Sequence, residues 1–305
     1  MDLTIGVTCW NAEDSIIRAL DSVRELSNSY IDYEVIIVDD ASSDNTMRIV
    51  EEYITTHDLS YFSLFKLPKN KGVAGARNEI LKHAKGEYFA FLDDDDEWLP
   101  SRYNEQKQVL LATEQDYSVP VLCYGGRLQK HLDGSTNHKS PLGYPNIVGG
   151  VELKNFFISG DKFDNPSLNP AGTGVLFSRL STLQRLNGFD ESFRRMEDVD
   201  LVIRHCDNGG VCVGTDVEVI TQNLTLSEDK GFDKVVFYHK KLIRKHISIF
   251  SSRYIYSIIK MHKSVAYKNG NTFRSKIYLL ISFFFSLENF KYNLKKIPMN
   301  SKDNE

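Results

Sequence analysis

The 305-residue sequence predicts an α/β protein with a mostly parallel central sheet flanked by helices. Three observations carry that expectation. Strand-like and helix-like segments alternate through the first hundred residues, the order that lays a parallel sheet beneath helices. The second strand, EVIIV at residues 34–38, is a continuous apolar run of the kind buried on both faces of a sheet. Polar residues then gather where the apolar strands end, which in open α/β sheets is the ligand-binding edge.

The elements follow in order. Residues 3–9 form a short run rich in β-branched side chains and stop at Asn11. Residues 14–26 place Ile16, Ile17, Leu20, Val23 and Leu26 at the spacing of an amphipathic helix. After the second strand, residues 44–53 read as a helix, 61–67 as a third strand, 78–84 as a helix closed by Gly86, and 87–92 (EYFAFL) as a fourth strand. Residues 115–170 are richer in Gly, Pro, Asn and Ser and read as strands joined by long loops. The pattern firms again at NPAGTGVLFSRL (169–180) and turns helical near Glu197, with Val199, Leu201, Val202 and Cys206 on its apolar side.

The net charge of -4 hides two opposite segments. Residues 1–233 carry 22 Lys+Arg against 38 Asp+Glu, a net of -16, and residues 234–305 carry 15 against 3, a net of +12. An acidic domain repels polyphosphates unless a cation intervenes, whereas a basic segment is drawn to anionic surfaces. The expected organisation is a catalytic domain at 1–232 and a basic helical extension at 233–305. Within the first, residues 1–100 would be the nucleotide-binding half and 101–232 the acceptor half. Cys9, Cys123, Cys206 and Cys212 form no metal-binding or redox spacing and read as buried free thiols. The opening MDLTIGVTCW has no secretory pattern, so a cytoplasmic protein is expected and the sequon at Asn223 is taken as coincidence.

Four consecutive carboxylates, Asp93, Asp94, Asp95 and Asp96, follow the apolar FAFL strand. In an extended segment, Asp93 and Asp95 would face one side and Asp94 and Asp96 the other. Adjacent anions repel, and a hard divalent cation, Mn²⁺ or Mg²⁺, would relieve them while bridging a diphosphate. Asp39 and Asp40 end the second strand, where a carboxylate can bond a base or ribose or simply cap the next helix. The NKGVAGARN segment, residues 70–78, offers backbone amides and Arg77 to a phosphate. Glu197 and Asp198 stand at a helix start, a suitable place for a carboxylate that takes a proton from an attacking hydroxyl.

Together these segments resemble a family 2 glycosyltransferase of the GT-A fold. The resemblance is carried by VTCWNAED (7–14), EVIIVDDASSDNT (34–46), NKGVAGARN (70–78), YFAFLDDDDEWLP (88–100) and LNGFDESFRRMEDVDLVIR (186–204). It implies that Thr8, Trp10 and Asn11 line the nucleotide pocket, and that Asp40 bonds the base, with uracil expected. It also implies Arg77 near the diphosphate, Asp93 and Asp94 near the ribose and sugar phosphate, and Asp95 as metal ligand. Asp198 would be the catalytic base, with Glu197 beside it. The family's activity would be inverting transfer of a hexosyl or N-acetylhexosaminyl group, in bacterial surface-polysaccharide assembly, to a glycan or lipid-linked acceptor. Cys9 replaces the family's usual proline after the first strand, which leaves base stacking open. The Gln-x-x-Arg-Trp signature of processive polymerases is missing, since the tryptophans are Trp10 and Trp98, so single addition is expected.

Two other functions compete. A nucleotidyltransferase would need a glycine-rich basic loop after the first strand, where TCWNAED stands. A non-catalytic nucleotide-sugar or glycan-binding module would not need both an acidic cluster and a positioned Glu-Asp pair. In the basic extension, apolar residues from Val235 to Met261 recur largely at steps of three and four among Lys240, Lys241, Arg244, Lys245 and Arg253. The run at 277–287 is too short to span a bilayer. The expected partners are a nucleotide-sugar donor and a glycan or lipid-linked acceptor, with no nucleic acid; the 233–305 extension either contacts the anionic inner face of a membrane peripherally or packs its helices on the catalytic domain with a solvated basic face.

Overall fold

The computed structural model describes residues 1–28, 30–159, 165–224, 232–246, 259 and 276–277. Strands β1 (Leu3–Cys9), β2 (Tyr33–Asp39), β3 (Phe62–Lys66) and β4 (Tyr88–Asp93) alternate with helices α1 (Ile16–Arg24), α2 (Thr46–Thr56) and α3 (Gly72–His83). The chain continues through β5 (Glu97–Trp98), α4 (Arg102–Tyr117), β6 (Val121–Lys130), β7 (Thr136–Lys139), β8 (Val148–Gly149) and α5 (Gly150–Ser159). It then forms β9 (Leu176–Arg179), α6 (Leu180–Arg185), α7 (Glu197–Asp207), β10 (Val211–Asn223) and α8 (Phe232–His246).

One sheet runs β3-β2-β1-β4-β9-β6-β10-β5, with β7 beside β6 and β8 beside β10. The first four strands pair in parallel. Strand β9 is antiparallel to both β4 and β6, and β6 and β10 are again parallel. The expected parallel sheet thus holds for the first half, and one reversed strand splices the second half onto it. All seven residues of β2 are buried, as its uninterrupted apolar sequence requires. Helix α1 buries Ile16, Ala19, Leu20 and Val23, a single stripe at helical spacing.

Two expectations need correction. The helix read at 78–84 begins at Gly72, so most of the segment read as a phosphate loop is the first turns of α3. Ala74, Gly75 and Ala76 bury a nearly featureless face that gives no strong periodic signal. Residues 115–170, read as strands and loops, also contain α5. Helix α4 lacked an apolar stripe because its buried face is largely polar: Arg102, Tyr103, Gln106, Leu110 and Thr113. Arg102 Nε donates to Gln106 Oε1 at 3.0 Å, and Arg102 Nη2 donates to the Leu176 carbonyl at 3.1 Å. These bonds make a polar helix face fit for the interior.

All four cysteines are buried and free, as expected. The sequon asparagine is engaged: Asn223 Nδ2 donates to the Asp95 carbonyl at 2.9 Å and to Glu97 Oε1 at 3.0 Å. The chain divides into two compact units, Met1–Phe156 with Lys162–Ser227, and Phe157–Asp161 with Glu228–Glu305. In the second unit, His239 Nε2 of α8 pairs with the Ile158 carbonyl at 2.9 Å. Apart from Ile259 and Ile277, the predicted helical run beyond His246 and the apolar run at 277–287 lie outside the described residues. Among the described residues, no helix is long and apolar enough to cross a membrane.

At the middle of β1, a methyl group added to Gly6 would stand 2.7 Å from Ile80 Cγ2 and 2.9 Å from Phe89 Cζ. Both neighbours are fully buried, so neither can swing away. We therefore expect Gly6→Ala to cost roughly 1–3 kcal/mol by overpacking. Urea unfolding would read this as a lower midpoint at unchanged slope, and an unaltered midpoint would contradict the packing described.

Candidate active site

Strand β4 ends at Asp93, and the three carboxylates after it do not continue the strand. Asp96 N–H donates to the Asp93 carbonyl at 3.2 Å, closing a turn. The alternation expected for an extended run is thereby corrected: Asp93 and Asp96 share one cavity. The turn is tied from three sides. Trp10 N–H donates to Asp94 Oδ2 at 3.2 Å, Arg18 Nη2 to the Asp95 carbonyl at 2.8 Å, and Asn223 N–H to Asp96 Oδ1 at 3.1 Å.

Crowding and burial set the electrostatics. Burial, with Asp95 nearby, pushes the Asp94 carboxyl up to about 7. Burial, with Asp93 and Asp95 nearby, pushes Asp96 up to about 9. These directions are what desolvation and like charge impose on carboxylates.

Helix α7 brings in the Glu-Asp pair. Met196, just before it, has a left-handed backbone (φ 63°), uncommon for a residue with a side chain and typical of sites held in place by their surroundings. Glu197 is buried, and its Oε1 accepts Arg77 Nη1 at 2.8 Å. Arg77 Nη2 donates to Asp93 Oδ1 at 3.2 Å. One buried arginine on α3 therefore joins the end of β4 to the start of α7. Its guanidinium lies 5.5 Å from the ring centres of Phe91 and Phe189. Beside Glu197, burial and that neighbour push Asp198 up to about 7.

A cavity of about 170 Å³ is lined by Arg77, Asp93, Asp96, Glu197 and Asp198, and by Arg127 with the Gly172–Val175 wall. Ile220 and Gln222 of β10 complete the lining. Of the residues singled out in the sequence, the cavity gathers Arg77, Asp93, Glu197 and Asp198. Thr8, Trp10, Asn11, Asp40, Asp94 and Asp95 lie outside its lining. Trp10 is exposed at the tip of β1. Asn11 Oδ1 accepts the Ser43 N–H at 2.9 Å, linking that tip to the loop after β2. Asp40 is buried, and its two oxygens accept the backbone N–H groups of Lys71 at 2.6 Å and Gly72 at 2.7 Å. It thus satisfies free amides at the start of α3.

Asp96, Arg127, Gly172 and Thr173 escaped sequence reasoning as cavity residues. Asp96 was visible only as one of four acids. The Ala-Gly-Thr-Gly stretch before β9 was the available signal for the wall.

The donor set suits a hard cation: carboxylates gathered in one turn, where burial and then like charge push the Asp94 and Asp96 carboxyls up. Among the described residues, no group of three or more His, Cys, Asp or Glu forms a metal cage.

Comparison with known proteins bears on the fold and the family. EpsE of Bacillus subtilis (strain 168) is 30% identical over 210 residues, covering 66% of this chain and 65% of that protein. An Escherichia coli UDP-Glc:alpha-D-GlcNAc-diphosphoundecaprenol beta-1,3-glucosyltransferase, WfgD, is 38% identical over 109 residues, covering 36% of this chain and 41% of that protein. The chain therefore spans less than two thirds of the length of either relative. The crystal structure of S. aureus TarS 1-349 in complex with UDP-GlcNAc shares the fold, with a TM-score of 0.58 and 19% identity over 86% of this chain and 72% of that one. The sequence profile described as Glycosyl transferase family 2 matches residues 4–169, more than half of the chain. With its α/β sheet and its acidic turn at the strand ends, the chain belongs to glycosyl transferase family 2.

Proposed function

We propose that the protein transfers one sugar from a UDP-sugar to a hydroxyl of a glycan or lipid-linked glycan, with inversion, in surface-polysaccharide assembly. The observation that carries this reading is the shared cavity: Asp198 faces the same space as Asp93 and Asp96, and Arg77 fastens the two sides together. The donor class is supported by the UDP-glucose named for WfgD and the UDP-GlcNAc bound by TarS.

In this reading Thr8, Trp10, Asn11 and Asp40 form the nucleotide end, and Asp94 orients the ribose side. Asp198 takes the proton of the acceptor hydroxyl as that oxygen attacks the anomeric carbon. The bond from that carbon to the diphosphate oxygen breaks, and the diphosphate leaves with the bonding pair. Attack from the face opposite the leaving group inverts the centre. Asp95 would hold Mn²⁺ or Mg²⁺, which when bound would supply positive charge beside the leaving diphosphate. Arg77 is a positioning residue here, because both its terminal nitrogens are already given to carboxylates.

Asp198 works as a base only when ionised, and its carboxyl is raised to about 7. We expect kcat/KM to climb with pH below about 7, roughly tenfold per unit, and to level above it. Asp198→Asn should lower kcat about 10²- to 10⁴-fold while leaving the UDP dissociation constant unchanged. A flat profile from pH 5 to 8, or full turnover in the variant, would remove the base assignment.

Screening a panel of UDP-sugars for UDP release should find at least one donor that needs added Mn²⁺ or Mg²⁺. Activity should vanish with a chelator and return with the ion. Asp95→Asn should require a higher ion concentration for half-maximal rate. Release that ignores the chelator would contradict the metal's role.

The excess of Lys and Arg at 233–305 supports a peripheral contact with anionic lipid. Flotation with vesicles containing anionic lipid should carry the full chain upward but not a chain ending at residue 232. Equal behaviour of the two would end that reading.

A further inference from the structure

The Glu-Asp pair reaches the cavity at the end of a loop, residues 187–196, that runs from α6 towards α7. That loop has an uncommon backbone. Asn187 (φ 56°), Gly188 (φ 63°) and Met196 (φ 63°) are all left-handed. Conformations of this kind persist where the surroundings dictate them. The contacts that do so lead to α3.

Asn78, the residue after Arg77 on α3, clamps the loop at Phe189. Its Oδ1 accepts the Phe189 N–H at 2.8 Å, and its Nδ2 donates to the Phe189 carbonyl at 2.8 Å. One side-chain amide thus satisfies both backbone groups of one residue, the exchange that pairs two residues in an antiparallel sheet. Nδ2 also reaches Glu191 Oε1, at 3.2 Å. Gly188 is glycine for two reasons: its backbone is left-handed, and a Cβ there would run into Asn78 Oδ1. From α7, Arg204 Nη2 donates to the Gly188 carbonyl at 2.7 Å. Further along the loop, Arg194 Nη1 donates to Asn70 Oδ1 at 2.6 Å, just before α3 begins.

Phe189 links this clamp to the chemistry. Its side chain is buried, its ring centre lies 5.5 Å from the Arg77 guanidinium, and it meets Phe91 edge-on at 5.6 Å. Arg77 in turn binds Asp93 and Glu197. Asn78 does not line the cavity. It acts on the site through Phe189 and the loop.

We propose that Asn78 is a positioning residue for sugar transfer: by fixing the Phe189 backbone it sets the ring against which Arg77 rests and the loop that delivers Glu197 and Asp198. This rests on the transfer reading given above and adds a residue that touches no substrate. The task suits asparagine, because one short group must accept a hydrogen bond and donate another. Aspartate has the same shape but, ionised, only accepts. It would set a second anionic oxygen against the Phe189 carbonyl and Glu191.

Read as UDP release from the donor that wild type turns over best, Asn78→Asp should lower kcat roughly 10- to 100-fold, the effect of leaving a polar group unpaired. Donor KM and the UDP dissociation constant should stay within about twofold. The rising limb of kcat/KM against pH should also move upward. Arg77 holds the Asp198 carboxyl down and Glu197 pushes it up, so loosening their pair makes Asp198 keep its proton to higher pH. A role confined to stability would lower the thermal midpoint without moving that limb. Phe189→Leu keeps the backbone bonds and removes the ring, so it should lower kcat and shift the limb the same way. Glu191→Ala removes only the longer Nδ2 bond and should keep the rate within about twofold.

Full activity in Asn78→Asp or Phe189→Leu would overturn the proposal, as would an unmoved pH limb or a loss in Glu191→Ala as large as that in Asn78→Asp. If wild type released UDP from no donor in the panel, the transfer reading itself would fail. That outcome is distinct from an active wild type whose Asn78 and Phe189 variants are indifferent.

Discussion

The site depends on one buried cation. Arg77 reaches from α3 to Asp93 at the end of β4 and to Glu197 at the start of α7, residues 104 positions apart in the chain. Placing a guanidinium at 5% exposure is costly unless its charge is matched, and here two carboxylates match it. The cost of removing one partner from such a buried network is typically about 3–5 kcal/mol, because the rest is stranded. Its Nε remains without a partner, so the arrangement is held by the two terminal bonds and the flanking phenyl rings.

Around that link, burial and like charge act in the same direction. Buried in an acidic turn beside other carboxylates, Asp94 and Asp96 hold protons more tightly. A cation and a diphosphate fit such a place, since each offsets the charge of the other. Asp198 sits across the cavity, where burial next to Glu197 brings its carboxyl close to neutral pH. In the proposed reading, this cleft offers an acid-rich edge to the leaving group and a carboxylate placed to accept a proton.

Much of this was legible in the sequence. EVIIV announced a buried strand because nothing polar interrupts it, and the strand-end acids announced the working edge of the sheet. Glu197 and Asp198 stood out because acids at a helix start have a known use. The fine geometry was hidden, because strand alternation was applied to a segment that the Asp96–Asp93 backbone bond turns back on itself. Arg127 and Gly172 were silent for another reason. They are ordinary residues 45 positions apart, and only the folded chain brings both to the wall of one cavity. Helix α4 was hidden by its own buried polar face, where Arg102 Nε donates to Gln106 Oε1 and Gln106 Nε2 donates to backbone carbonyls.

The claim beneath all of this is that Arg77 and Glu197 act as a unit across the cleft. A double-mutant cycle built from Arg77→Met, Glu197→Gln and the pair, read as kcat/KM for UDP release, measures that directly. The account predicts strong non-additivity, with a coupling of about 1.5 kcal/mol or more, so that the second substitution costs little once the first is made. Losses that simply add, to within about 0.5 kcal/mol, would mean that the two residues work independently and that the cleft is held by something else.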